Sequence, residues 1–132
     1  IVHEAERIGD LAKSIVKGGK LSHSPRMGPQ VEPLREMRDR VLVMFEHARD
    51  GFVEEEAEAA RELMSMHEKM KDDVTTYLQD LADNDGLTAN EGIVLALIAR
   101  LLSRVSSHLS NIASAVVSPF DQIRRAPTWE SP

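Results

Sequence analysis

The strongest constraint on the fold of this chain is a stretch of sequence that occurs twice. Residues 5–15 read Ala-Glu-Arg-Ile-Gly-Asp-Leu-Ala-Lys-Ser-Ile, and residues 102–112 read Leu-Ser-Arg-Val-Ser-Ser-His-Leu-Ser-Asn-Ile. Arg7 aligns with Arg104, Ile8 with Val105, Ala12 with Leu109 and Ile15 with Ile112, at an offset of 97 residues. Both copies place apolar residues three and four apart, so both read as helices that turn one face to a core. A repeat of this kind points to duplicated helical units stacked on one another. The copies differ where it matters for chemistry. The first carries carboxylates at Glu6 and Asp10, and the second has Ser103 and Ser107 in their place.

At 132 residues the chain makes one domain with a real core. Its formal net charge is −6, its basic residues are scattered apart from Arg124-Arg125, and aromatics are only 4%. That combination disfavours nucleic acid and anionic lipid as direct partners, because neither phosphate tracking nor base stacking has residues to carry it. Without cysteine, disulfides, thiolate metal sites and thiol nucleophiles are excluded. The longest apolar run, 92–102, is interrupted by Arg100, so no direct membrane insertion of this segment is expected. A start at Ile1, inside an apparent helix, reads as a fragment.

Four helices are expected and no strand, since no segment alternates with period two. The first runs to about Lys17 with Ala5, Ile8, Ala12 and Ile15 inward and Gly18-Gly19 as its stop. A loop follows over residues 20–30, which hold two prolines and a glycine. The second helix opens at Val31-Glu32-Pro33, with Leu34, Met37, Val41, Met44/Phe45 and Ala48 inward, and ends at Asp50-Gly51. The third covers 53–82, led by Glu54-Glu55-Glu56 at the positive end of its dipole. Its stripe is Ala60, Leu63, Met66/Met70, Val74, Tyr77/Leu78 and Leu81. Thr88-Ala-Asn-Glu91 has the form of a capping box. It opens a fourth helix with Val94, Ile98, Leu101, Val105, Ile112 and Val116 inward, broken at Ser118-Pro119. The fold class is therefore all-α, an antiparallel up-down bundle over 1–117 with a tail at 118–132 that includes Trp129. Ile8, Ile15, Val41, Val74, Ile98, Val105 and Ile112 should share the core.

Few residues suggest chemistry. Glu6 and Asp10 lie one turn apart on one face, where like charges repel unless a cation sits between them. Arg7, Lys13 or a divalent metal (Zn, Fe or Mn) would serve, with His3 as a further ligand. Glu68, Asp72 or Asp73 of the third helix would complete such a site, opposed by Lys69 and Lys71. His108 falls on the inward stripe and reads as a partly buried histidine bonded to a serine or backbone group. A triad with Ser107 or Ser110 is poor, because no acidic residue lies nearby in sequence and a mid-helix serine lacks an oxyanion hole. Ser103, Ser107, Ser110, Ser114 and Ser118 form a stripe of small residues, suited to a close helix contact or a docking face. His23, His47 and His67 have no ligand-like spacing.

Glu6-Arg7-Ile8-Gly9-Asp10, followed by Ala12 and Ile15, resembles the E-R-I-G-D signature of PhoU domains. The second copy is similar, with 97–100 (Leu-Ile-Ala-Arg) leading into Arg104-Val105, His108 and Asn111-Ile112-Ala113. The resemblance implies a spectrin-repeat-like three-helix unit preceded by the last helix of another repeat. It implies a non-enzymatic, negative regulator of phosphate transport and phosphate signalling, cytoplasmic or held at the inner membrane face by its partner. That partner would be a transporter component or a sensor kinase. An alternative with the same fold is the cytosolic regulatory domain of a sodium–phosphate type transporter. Some members bind metal through E-x-x-x-D carboxylates, which map here onto Glu6 and Asp10. A carboxylate-metal bundle enzyme needs Glu-x-x-His pairs, and the chain has none. A first helix short of neighbours also predicts a homo-oligomer or a partner surface on the terminal helices.

Overall fold

The computed structural model of this chain describes residues 2–24 and 28–124, with 118–124 described by backbone alone. Among the described residues there are four helices and no strand: α1 (Val2–Lys20), α2 (Val31–Val53), α3 (Ala57–Ala82) and α4 (Ala89–Arg124). The expected loop between α1 and α2 is present at residues 21–24 and 28–30. Pro25, Arg26 and Met27 lie outside the described residues, as do Ile1 and residues 125–132 with Trp129.

α4 is the hub. It packs against all three other helices, α2 and α3 pack against each other, and among the described residues α1 packs only on α4. This position explains the composition of α4. Within its span Ala89–Val117 an 18-residue window has a mean hydropathy of 1.4, long and apolar enough by those measures to cross a membrane. Arg100 and Arg104 are exposed charges on a helix whose other faces meet neighbours, and more than half of that window is buried inside the bundle. A helix covered on three sides has to be apolar on three sides.

The α2 and α3 stripes seat as their periodicity predicts. Met37, Val41 and Met44 meet the core from α2, and Ala60, Leu63, Met70 and Val74 from α3. Burying side chains of this size contributes about 1.5–3 kcal/mol each. Met44 is the inward member of the Met44/Phe45 pair, and Phe45 is exposed. Of the residues expected to share the core, Val41, Val74, Ile98 and Val105 are buried, and Ile8, Ile15 and Ile112 are half-buried along the α1–α4 contact. On α1 the face is rotated from the expected one. Leu11 is buried, whereas Ala5 and Ala12 are exposed.

Two glycines that read as helix stops are instead close contacts. α1 continues through Gly18 to Lys20 because a Cβ at Gly18 would lie 3.1 Å from Leu97 Cδ2, so the missing side chain lets α1 approach α4. Gly51 lies buried inside α2, and a Cβ there would meet Ala60 Cβ at 3.2 Å and Ala60 N at 3.3 Å. The Glu54–Glu56 run is the α2–α3 turn, not the first turn of α3. Glu55 adopts φ 56°, and the N–H groups of Glu54 and Glu56 both donate to the Asp50 carbonyl at 3.2 Å, closing the end of α2. The capping box forms as expected: Glu91 N–H donates to Thr88 Oγ1 at 3.1 Å, and Thr88 N–H donates to Glu91 Oε1 at 3.2 Å. α4 passes the expected break at Ser118-Pro119 and continues to Arg124. A proline forfeits one intrahelical hydrogen bond and strains the preceding turn, without forbidding helix beyond it.

Candidate functional site

The contact that unites the two sequence repeats is the seam between α1 and α4. The helices run antiparallel: Gly18 meets Leu97 and Ile98 at one end, and Glu4 meets His108 and Asn111 at the other. The face that α1 turns to the seam is Glu4, Ile8, Leu11, Ile15 and Gly18, spaced three and four apart. Glu4 is its one charged member. Its carboxylate accepts a hydrogen bond from His108 Nδ1 and another, at 3.3 Å, from Asn111 Nδ2. The bond from His108 holds the Glu4 carboxyl below its ordinary value, against the opposing effect of burial. At the far end Asn90 of α4 closes the seam, accepting from His23 N–H at 2.9 Å and donating to the Leu21 carbonyl at 2.8 Å.

The offset of 97 residues places Leu101 at the position of Glu4, and Leu11 at the position of His108. One cross-seam pair is thus polar, while the residues at its counterpart positions, Leu11 and Leu101, are both 7% exposed. The expected partner of His108, a serine or backbone group, is corrected by this geometry. A carboxylate 104 positions away orients the imidazole. That acid was missing from the triad reading, yet among the described residues no serine hydroxyl bonds to His108. The pair is therefore a clasp between helices.

A second histidine is used in the same way. His67, on the α3 stripe, is buried and shares a 2.6 Å hydrogen bond from Nδ1 with Oγ of Ser106, which is fully buried on α4. Burial lowers the His67 pKa from its ordinary value, and nearby Lys71 adds to the effect. Sequence reasoning passed over this pair. Its one legible sign was that His67 falls between Leu63 and Met70 on the α3 stripe. Tyr77 lies on the same stripe. Its hydroxyl donates to the Gln30 carbonyl at 2.7 Å, and burial pushes its pKa up to about 12. Between α2 and α3, Asp73 pairs with Arg40 at 2.6 Å and with Lys69 at 3.3 Å. Burial pushes the Asp73 carboxyl up, but these two cations outweigh it and hold it below its ordinary value.

The residues expected to hold metal sit elsewhere. Glu6, Asp10 and His3 are exposed on the side of α1 away from the seam. Arg7 bonds to His3 Nε2 at 3.4 Å rather than to either carboxylate. Glu68, Asp72 and Asp73 lie on α3, which α1 does not contact among the described residues. Among the described residues no group of three or more His, Asp or Glu side chains is gathered for a metal ion. Of the serine stripe, Ser103 is buried and Ser107, Ser110 and Ser114 are half-buried. Ser118 lies where only the backbone is described.

Among the described residues, some apolar surface remains open. α1 and α2 stand apart over α4 and leave a groove of about 790 Å³, with Ile98 and Leu102 as its floor and Lys20, Arg35 and Arg38 at its edges. On α2, at the edge of its buried stripe, Phe45 and Phe52 are exposed at 41% and 49%, and Leu42 at 56%. The comparisons with known proteins bear on these surfaces. A family model described as PhoU domain matches residues 34–116, which covers most of α2, all of α3 and α4 as far as its last buried turn. Searches of curated proteins and of solved structures return no match.

Proposed function

The chain belongs to the PhoU domain family, and from that premise we propose that it is a non-enzymatic regulator of phosphate transport that works through contact with a transporter component or a sensor kinase. The family accounts for the phosphate-regulatory role. The observation that supports contact with a partner is the exposed apolar side chains of α2. Two of the three phenylalanines of the chain, Phe45 and Phe52, stand exposed there beside Leu42. Exposed apolar clusters of this kind mark protein–protein contact. The polar side chains between the helices are already engaged with one another: His67 with Ser106, Glu4 with His108, and Asp73 with Arg40. Such groups hold helices in register, a structural use that fits regulation by contact. Regulation would take place at the cytoplasmic face of the membrane, where that partner resides.

Phosphate uptake in cells with and without the protein tests this reading. Loss of the protein should leave uptake high when phosphate is plentiful, and a Leu42→Ser/Phe45→Ser/Phe52→Ser variant of unchanged helix content should do the same. Uptake that is indifferent to the protein sinks the regulatory reading. Normal regulation by the triple variant removes α2 as the contact.

A further inference from the structure

Between Glu91 and Asp121 the chain has no carboxylate side chain, although it holds 22 Asp and Glu in all and a net charge of −6. The arginines of that stretch, Arg100 and Arg104, stand one turn apart on α4, where like charges repel. Both are exposed, and neither has a hydrogen-bond or ion-pair partner among the described residues. By contrast Arg35, Arg38, Arg40, Arg49 and Arg61 each pair with a carboxylate. The repeat sharpens the difference. At the offset of 97, Arg100, Ser103, Arg104 and Ser107 stand where the first copy has His3, Glu6, Arg7 and Asp10. The first copy sets two carboxylates about one arginine, and the second sets hydroxyls about two.

Beside the arginines the helix surface is low. Ala96, Ser103, Ser107, Ser110 and Ser114 make a stripe of small side chains about 27 Å long, the length of a partner helix of five turns. Ser103 is 8% exposed, yet its hydroxyl has no hydrogen-bond partner among the described residues. No buried side-chain polar atom there is sealed from solvent without a partner, so this hydroxyl opens onto the outer face with its bond still to be made. The bond between His67 and Ser106 sets α3 alongside. Lys71, one turn beyond His67, adds a further positive charge to that wall, held at 2.9 Å by Glu68.

This face is set by the α3–α4 side of the bundle. At 3.6 residues per turn, Arg100, Ser103, Arg104 and Ser107 lie on the side of α4 opposite Ile98 and Leu102, which floor the groove between α1 and α2. Further helices of α1's own repeat would seat on Val2, Ala5, Gly9, Ala12 and Val16, the counterparts of the buried Ala99, Leu102, Ser106, Leu109 and Ala113 of α4. Val16 lines that same groove, so such helices would approach α4 from the side away from its arginines.

We propose that the outer face of α4 receives an acidic helix of a partner protein, whose carboxylates pair with Arg100 and Arg104 over the low floor of Ser103 and Ser107. A free cationic pair in an acidic chain selects for the opposite charge, and the long small-residue floor suits a helix better than a small ion. The proposal does not rest on the exposed side chains of α2. The probe is a fluorescein-labelled, alanine-based helical peptide of about 18 residues, with glutamates one turn apart along one face. Anisotropy at low ionic strength should show saturable binding to the full 132-residue chain, and the same peptide with lysines should not bind. Arg100→Glu/Arg104→Glu should abolish binding at unchanged helix content, since both side chains are exposed. Arg35→Glu/Arg38→Glu, on the far side of α4, should leave it unchanged. Ser107→Leu keeps both arginines and raises the floor, and should weaken binding severalfold. Absence of binding overturns the proposal. Equal loss in the Arg35/Arg38 variant, or full binding by Ser107→Leu, overturns it as charge attraction without a seat. Inorganic phosphate that displaces the peptide better than chloride at equal ionic strength would give the arginines to a free oxyanion and also overturn it. So would phosphatidylserine vesicles that bind the chain but not its Arg100/Arg104 variant, since the ligand is then a lipid surface.

Discussion

His108 on α4 donates from Nδ1 to Oε2 of Glu4 on α1, across 104 positions of sequence. Because α1 packs only on α4 among the described residues, this bond, with Asn111 beside it, fixes the N-terminal half of α1. Replacing Glu4 with Ala should therefore act locally. We expect loss of about 1–2 kcal/mol of local protection, seen as faster amide hydrogen exchange in α1 between residues 4 and 12, with exchange in α2 and α3 unchanged.

The same pair gives α1 an acid sensitivity. His108 holds the Glu4 carboxyl below its ordinary value. A carboxyl lowered in the folded state stabilises fully above its unfolded pKa, and that contribution is lost as pH falls through the lower folded value. Hydrogen exchange in α1 should accelerate as the solution is acidified below about pH 4.5, the unperturbed glutamate value. Glu4→Gln should show faster exchange at neutral pH and less further change in acid.

At the α3–α4 contact, Ser106→Ala leaves His67 Nδ1 buried without its partner, at a cost of about 1–3 kcal/mol in urea unfolding. The double variant His67→Leu/Ser106→Ala should recover most of that loss, since an apolar pair has no bond to lose. The wild-type chain carries a pH dependence here as well. The folded His67 pKa lies below 6.5, so in the window beneath 6.5 the unfolded chain binds the proton first. Stability should fall as pH drops from 6.5 toward the folded value, and His67→Leu should flatten that part of the curve.

Two glycines should respond oppositely to alanine. Gly92, in the first turns of α4, has nothing within 4 Å of an added Cβ, and Gly92→Ala should stabilise by about 0.5–1 kcal/mol. Gly51→Ala should destabilise, because the added carbon presses on Ala60 backbone at 3.3 Å. Thermal unfolding of the two variants should move in opposite directions.

Any divalent metal the chain takes up should bind at Glu6 and Asp10, with His3 as the third donor. These are exposed side chains on one helix face, so the expected affinity for Zn, Mn or Fe(II) in calorimetric titration is weak. It should vanish in Glu6→Gln/Asp10→Asn. Tight binding that survives the double substitution places the metal elsewhere.

Much of this molecule was legible in the sequence. The four helices, the stripes Leu34–Met37–Val41 and Leu63–Met70–Val74, the inward Val94, Ile98 and Val105, and the Thr88–Glu91 box all follow from spacing and capping. Those are short-range effects that a few neighbouring residues decide. The family resemblance was legible for the same reason, since it rests on a motif written twice.

Which face of α1 turns inward was not legible. Ala5, Ala12 and Leu11 all flank Ile8 and Ile15, and the choice depends on which helix lies alongside. With α4 as the one neighbour, Leu11 goes in and Ala5 and Ala12 stay out. Gly18 and Gly51 were ambiguous because a glycine signals a helix end and a close helix contact by the same absence of a side chain. The polar pairs were hidden most completely. Nothing near His108 names Glu4, and nothing near His67 names Ser106. Local periodicity sets which residues form a helix, but a hydrogen bond between helices exists only once packing has brought distant positions within about 3 Å. The sequence determined the helices and most of their apolar faces, and the tertiary structure alone decided how the repeats meet and which polar side chains hold them together.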